Sequence, residues 1–246
     1  MLIFTRLFAF FYTFSMFRRE MASIRLLITL SFVLSCYVLM LSASADVTDN
    51  LLSLIFFLHA MVQFVIGFAS GLIMNIILEV FSAIGQIIST QIGLSAASLF
   101  DPKFGVITSL THFYVMVGTI IFLEMNGHLM MIDTLVKSFT ALPVGVLITQ
   151  FYGSSIASFS AIIFSGSILV SITVIAAVLM TNISMAFISK FAPQFNLFSI
   201  GLNLTILIGL LCITLSFQIY VDHGHALINE VLLFFKHFIM GLKQHG

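Results

Sequence analysis

Imidazole and carboxylate groups, which are typical metal ligands, lie close together in the segment Asp222-His223-Gly224-His225. Adjacent residues rarely present their ligand atoms to one point, and no second half of a site is visible. The other histidines are scattered: His59, His112, His128, His237 and His245. A solvated loop is therefore favoured over a metal centre, and we predict no metal and no cofactor.

Enzymatic chemistry has no recognisable motif in this chain. The sequence lacks Ser-x-x-Lys, the nucleophile elbow, a Gly-rich phosphate loop and His-Glu-x-x-His. An enzyme therefore has no support, and we expect the protein to act without catalytic residues.

Three polar side chains in apolar surroundings are the better candidates for function. Glu79 lies within an apolar run, where an ionisable residue is by default a functional hypothesis, although a place near a helix end would also permit its carboxylate to reach water. Gln86 and Gln91 follow in the same region. We expect these three residues to be buried or to lie at an interface with protein or water.

The composition shows which elements must position these residues. Of 246 residues, 61% are hydrophobic and 7% charged, and the mean hydropathy is +1.22, far above the values of soluble domains. Basic and acidic residues balance to a net charge of zero, which provides no positive field for nucleic acid. The chain is therefore predicted to be a membrane protein that does not bind nucleic acid.

Residues 85–105 interrupt the apolar pattern with glycines, glutamines, small residues and a Phe-Asp-Pro-Lys turn. Irregular backbone is costly in lipid because each unpaired amide group costs several kcal/mol. Such a segment is expected to be buried in protein or to line a watery path. A polar loop between spanning helices and a pore-closing element both remain open from residue chemistry alone.

The rest of the chain predicts an all-α, polytopic fold of long, kinked helices. Gly67 and Gly71 form a GxxxG pattern, for which helix packing is the expected use. Asp133 and Lys137 are spaced to pair on one helix face. Apolar runs predict helices over residues 2–17, 26–41, 51–81, 106–123, 129–139, 154–188, 200–220 and 227–242, the last amphipathic.

Four blocks in register resemble the FliR family of flagellar export-gate proteins, which is similar to the T-type component of virulence type III secretion. The order and spacing of these blocks cover residues 6 to 220. The blocks are Gly85-Gln86 through residues 91–95 to Phe100-Asp101-Pro102; Phe122-Leu123 with Asn126-Gly127-His128; Ser138-Phe139 with Leu142-Pro143; and residues 192–198 to Gly201.

The resemblance implies a subunit of an export gate in the bacterial inner membrane, within the flagellar basal body. It implies FliP and FliQ as partners, together with FlhB, FlhA and the exported unfolded proteins. It divides the chain into a FliP-like part, residues 1–150, a FliQ-like hairpin, residues 151–222, and a C-terminal helix, residues 223–246. A virulence export subunit and, less favoured, a small-solute transporter using Glu79, Gln86 and Gln91 are the alternatives.

The resemblance also places a pore plug near residues 94–105. The hairpin turn is expected at Lys190, Pro193 and Asn196. The family usually carries more residues before the position of Arg6 and prolines around positions 16 to 24, which leaves the geometry of the first helix open. The predicted plug or gate residues are Gly93, Leu94, Ser95, Ala96, Ala97, Ser98, Leu99, Phe100, Asp101 and Pro102.

Overall fold

A computed structural model describes residues 1–16, 23–41, 54–94, 109–144, 153–191 and 197–241, and in these ranges all regular structure is helical. The described helices are α1 (Leu2–Thr13), α2 (Ile24–Leu41), α3 (Leu54–Gln91), α4 (Ser109–Glu124), α5 (Gly127–Ala141), α6 (Gly153–Phe159), α7 (Ile162–Phe191), α8 (Leu197–Leu215) and α9 (Phe217–Gly241). The predicted all-α membrane fold is confirmed.

Helix length and hydropathy identify the segments that can cross a membrane. Within the described residues, Leu54–Gln91 and Gly153–Phe191 are long and apolar enough, and up to four spans result if each of two bent helix pairs counts as one. α1 and α2 are apolar but shorter. The protein is thus a polytopic membrane protein in which several helices are too short or too bent for a simple crossing.

The chain folds into two compact units. The first unit comprises Met1–Leu78, Leu123–Ser160 and Ile228–Gly246, and the second comprises Glu79–Phe122 and Ala161–Leu227. Each unit consists of segments that are separate in the sequence, and helices α3 and α9 each contribute residues to the two units. The predicted division into parts 1–150, 151–222 and 223–246 follows family-like segments rather than these units, and it stays a prediction.

α1 forms the centre of the first unit. Leu7, Phe10 and Phe11 are almost completely buried, and the Phe10 ring lies 6.4 Å from the ring of Phe235 in α9. α1 also packs against α2. A helix of only twelve residues that buries most of its length has its stability in tertiary packing rather than in helix propensity.

Consecutive helices α7 and α8 pack against each other in the second unit, and residues 192–196, between them, lie outside the described residues. The FliQ-like hairpin and its turn stay predictions. The predicted start of the last helix, at residue 227 of the range 227–242, is wrong. Helix α9 begins at Phe217 and runs unbroken through residue 222.

Candidate functional site

The predicted irregular segment starts later in the structure than the sequence indicates. α3 continues through Gly85 and ends at Gln91, so the expectation of a break at residue 85 is wrong. Gly85 lies within α3, and its missing side chain allows α4 to approach closely. A Cβ on Gly85 would lie 2.5 Å from the Thr111 Cα of α4. The glycine serves helix packing in the second unit, and the chain leaves the helix only after Gln91.

The end of α3 is a sharp, hydrogen-bonded stop. Gly93 has a φ of 82°, a left-handed conformation that favours glycine. The Leu94 amide donates to the Ser89 carbonyl at 3.1 Å, and the Gly93 amide donates to the Thr90 carbonyl at 3.2 Å. These two bonds form a Schellman motif, which satisfies helix carbonyls and turns the chain away.

The predicted plug residues begin at this stop. Gly93 and Leu94 form the Schellman turn itself, whereas the remaining predicted plug residues, Ser95 to Pro102, lie outside the described residues. The plug therefore stays a prediction, and the chain enters this segment from the end of a 38-residue helix.

The three predicted polar residues all lie on α3. Glu79 is half-buried and lies about three turns before α3 ends. It is therefore not close enough to that end for its carboxylate to reach water there. Gln86 and Gln91 are exposed in the single chain, and Gln86 Nε2 donates to Ser82 Oγ at 3.3 Å. Whether partners cover the three residues stays a prediction.

The expected hairpin turn is described only at Lys190. This lysine is exposed in the last turn of α7, where a positive charge complements the helix dipole. Pro193 and Asn196 lie outside the described residues.

The Asp-His-Gly-His group is helical, which corrects the prediction of a solvated loop. Gly224 packs closely in α9, because a Cβ on it would lie 3.1 Å from the Phe81 ring, and Asp222 accepts a hydrogen bond from Gln218. His223 and His225 stand two positions apart on a helix, so their rings point to different sides. Among the residues that the structure describes, no three His, Cys, Asp or Glu side chains are grouped to hold a metal.

A buried arginine is the strongest polar feature that the sequence patterns do not reveal. Arg6 of α1 is fully buried, and its Nε donates to Gln63 Oε1 at 2.7 Å. Its Nη1 donates to the Ser138 carbonyl at 3.0 Å and to the Ser138 hydroxyl at 3.1 Å, and its Nη2 donates to the Leu142 carbonyl at 3.0 Å. The guanidinium also lies 4.3 Å from the Phe139 ring centroid.

The electrostatic role of Arg6 follows from where its acceptors lie. Ser138 and Leu142 are at the C-terminal end of α5, where carbonyls carry the negative end of the helix dipole, and the Ser138 carbonyl also accepts a hydrogen bond from the Leu142 amide at 2.9 Å. Burial lowers the pKa of Arg6 to about 9, which leaves the guanidinium protonated at neutral pH. One cation in the short helix α1 thus caps α5 and binds α3.

A second polar contact fixes the C-terminal end of α1. Asn75 Nδ2 donates to the Thr13 carbonyl at 3.1 Å, and Asn75 Oδ1 accepts a hydrogen bond from the Ser15 amide at 2.8 Å. The amide side chain therefore satisfies both a helix-end carbonyl and an amide just beyond the helix. Together, Arg6 in the second turn of α1 and Asn75, which contacts the C-terminal end of α1, join α1 to α3.

The GxxxG pattern lies between these two contacts and has the predicted packing role. A Cβ on Gly67 would lie 2.1 Å from the Arg6 carbonyl oxygen, and a Cβ on Gly71 would lie 2.7 Å from Thr13 Cβ. The prediction that these glycines permit close helix approach is confirmed.

The second unit holds its helices by glycines that face bulky side chains. The Phe81 ring occupies the space beside Gly118, where a Cβ would lie 2.3 Å from the ring, and it also contacts Gly224. Several buried hydroxyls in this unit make no hydrogen bond of acceptable geometry with described residues. They belong to Ser89, Tyr114, Ser171 and Tyr220.

These features define a class: an all-helical, polytopic membrane protein with a buried polar cluster and a sharply ended long helix. The family described as "Bacterial export proteins, family 1" matches residues 1–231, and the chain belongs to that family. It is a membrane component of a bacterial export apparatus of the type III class.

Three relatives illustrate the match. The flagellar biosynthetic protein FliR of Aquifex aeolicus (strain VF5) is 26% identical over 254 residues, 99% of this chain and 95% of that protein. The FliR of Buchnera aphidicola subsp. Baizongia pistaciae (strain Bp) is 32% identical over 160 residues, 64% of this chain and 62% of that protein. The surface presentation of antigens protein SpaR of Shigella flexneri is 26% identical over 205 residues, 82% of this chain and 78% of that protein.

Proposed function

We propose that this chain is a channel subunit of the flagellar export gate, which assembles with FliP and FliQ in the bacterial inner membrane and conducts unfolded flagellar proteins. FlhB and FlhA are the further partners expected around the gate. Family membership and the similarity to flagellar FliR proteins over almost the whole chain support this proposal.

The apolar surface of the second unit also supports assembly with other helices. Among the side chains of α7, Phe164, Leu169, Ile172 and Phe187 are more than half exposed, on several sides of the helix. Helix α7 belongs to the candidate membrane span Gly153–Phe191, and only 39% of the most apolar window of that span is buried. The exposed apolar side chains therefore need lipid or partner helices. We therefore expect the isolated chain to aggregate or unfold more readily than the assembled one.

The observation that carries the plug assignment is the Schellman stop at Gly93. A long apolar helix that ends in a sharp turn can hold the segment that follows at a fixed position along the helix axis. Gln86 and Gln91 are exposed in the last two turns of this helix. Small residues permit that segment to fold tightly, and Phe100 would supply an apolar stopper beside the rigid Asp101-Pro102 turn.

Deleting Ser95 to Phe100 tests the plug. We expect cells with the assembled gate to become more permeable to ions and small molecules, because a closing element has been removed. A matched control replaces the same residues with glycine and serine at equal length, which keeps the connection but removes Phe100, and we expect an intermediate leak. Assembled gates with unchanged permeability in both variants would contradict the plug assignment while leaving family membership intact.

Co-purification with tagged FliP and FliQ tests the assembly. We expect the three proteins to elute together from detergent extracts of the inner membrane. A solitary monomer that binds a small solute would instead support the transporter alternative.

The similarity to SpaR supports a virulence cargo as the second candidate function. Complementation separates the two: expression in a fliR deletion strain should restore motility, and expression in an injectisome mutant should not restore effector secretion. The opposite result would assign the chain to virulence export.

A further inference from the structure

A groove in the first unit lies between α5 and the last part of α9 and combines charge with apolar lining. Its volume is about 640 Å³, within the range of small-molecule binding sites. The lining residues that bear on its chemistry are Met130, Asp133, Lys137, Lys236, Ile239 and Met240.

The charges of this groove do not cancel. Lys137 Nζ donates to Asp133 Oδ2 at 2.6 Å, which confirms the pair expected from their spacing on α5. Lys236 is exposed and forms no ion pair with any residue that the structure describes. One ammonium group therefore remains available, and the charged lining has a net charge of +1 that favours an anion.

The apolar lining distinguishes between kinds of anion. Met130 and Met240 are about half exposed, at 47% and 51%, beside the charged groups. A soluble anion would bind the lysines and leave these thioether side chains in water, whereas an amphipathic anion would cover both. In a protein with membrane-spanning helices, the amphipathic anion at hand is a phospholipid.

We propose that this groove binds the headgroup of an anionic phospholipid. The phosphate interacts with Lys236 and with Lys137, and an acyl chain covers Met130 and Met240. Basic pockets between the helices of membrane proteins bind anionic headgroups in this manner. The proposal is independent of the export function, because it depends only on the groove and on the membrane.

Native mass spectrometry of the full chain in detergent micelles tests the proposal, with phosphatidylglycerol and phosphatidylcholine titrated separately. We expect phosphatidylglycerol to bind more tightly. Lys236→Gln should weaken its binding about fivefold, the effect of one lysine near an anionic surface. The control Lys190→Gln removes an exposed lysine of the second unit and should leave the binding unchanged.

Asp133→Asn gives a change in the opposite direction, which misfolding cannot imitate. It removes the carboxylate that occupies Lys137, so phosphatidylglycerol should bind several-fold more tightly. Equal binding of the two lipids, or no effect of Lys236→Gln, would overturn the proposal. The proposal would also be overturned if inorganic phosphate competed as strongly as phosphatidylglycerol. Binding of a polyglutamate peptide in place of the lipid would overturn it as well.

Discussion

Glycine contacts bring helices close together in both units, but the first unit adds hydrogen bonds that cross between helices. In the first unit, Arg6 and Asn75 cross between helices and saturate carbonyls at helix ends. In the second unit, close approach comes from glycines against Phe81 and Thr111. Directional hydrogen bonds fix which residues meet, whereas glycine contacts fix only how closely helices approach.

This difference predicts that polar substitutions damage the first unit far more than the second. Steric substitutions should damage both. Four experiments, all on the purified full chain in detergent with thermal unfolding as the measurement, test the comparison from the largest expected effect to the smallest.

The largest effect is expected for Arg6→Met. The substitution leaves the Gln63 side chain and the Leu142 carbonyl buried without the Arg6 donor, and it removes one of the donors to the Ser138 carbonyl, so we expect a loss of about 4 kcal/mol of unfolding free energy. Arg6→Lys keeps the charge but cannot reach acceptors on two helices at once, and it should be intermediate.

The control for charge is Arg25→Met, since Arg25 is exposed on α2. It should change stability by less than about 0.5 kcal/mol. Equal effects of the Arg6 and Arg25 substitutions would show that the buried cluster contributes no more than a surface charge.

The second effect is expected for Gly67→Ala. Its Cβ would lie 2.1 Å from the Arg6 backbone oxygen, which cannot move without displacing α1, so we expect a loss of about 3 kcal/mol. Gly241→Ala is the control, because nothing lies within 4 Å of a Cβ there. Similar unfolding temperatures for the two variants would mean that α1 does not depend on close approach to α3.

The third effect lies in the second unit. Gly118→Ala would place a Cβ 2.3 Å from the Phe81 ring and should cost about 2 kcal/mol. Phe81→Leu makes room for it, so the double variant should be more stable than the sum of the single effects predicts, by about 1 kcal/mol or more. Additive effects would indicate that the ring and the glycine do not limit each other.

Several features of this fold can be predicted from the sequence because they are local. The GxxxG pattern predicts the packing role of Gly67 and Gly71, and the spacing of Asp133 and Lys137 predicts their pair. The existence of helices is also predictable from apolar runs. These signals depend on neighbours within one or two helical turns, which sequence spacing specifies.

The rest depends on contacts distant in sequence. Arg6 is visible in the sequence only as a charge in an apolar run, and its acceptors Ser138 and Leu142 lie more than 130 residues away. Gly85 resembles a break, yet in a buried helix the cost of glycine, about 1 kcal/mol relative to alanine, is offset by close packing against Thr111. No local pattern distinguishes a glycine that ends a helix from one that admits a neighbour.

The smallest effect is expected for Tyr114→Phe, and it tests the comparison most directly. The Tyr114 ring packs edge-on against Tyr220 at 5.5 Å, and the substitution keeps this contact while removing a buried hydroxyl whose approach to the Tyr220 side chain lacks good hydrogen-bond geometry. Because no well-formed hydrogen bond is lost, stability should change by less than about 0.5 kcal/mol or increase slightly. Gln63→Leu, the matched change in the first unit, leaves the Arg6 Nε–H unpaired and should cost about 2 kcal/mol. If Tyr114→Phe costs as much as Gln63→Leu, then the second unit also depends on a buried hydrogen bond, and the distinction between the two units fails.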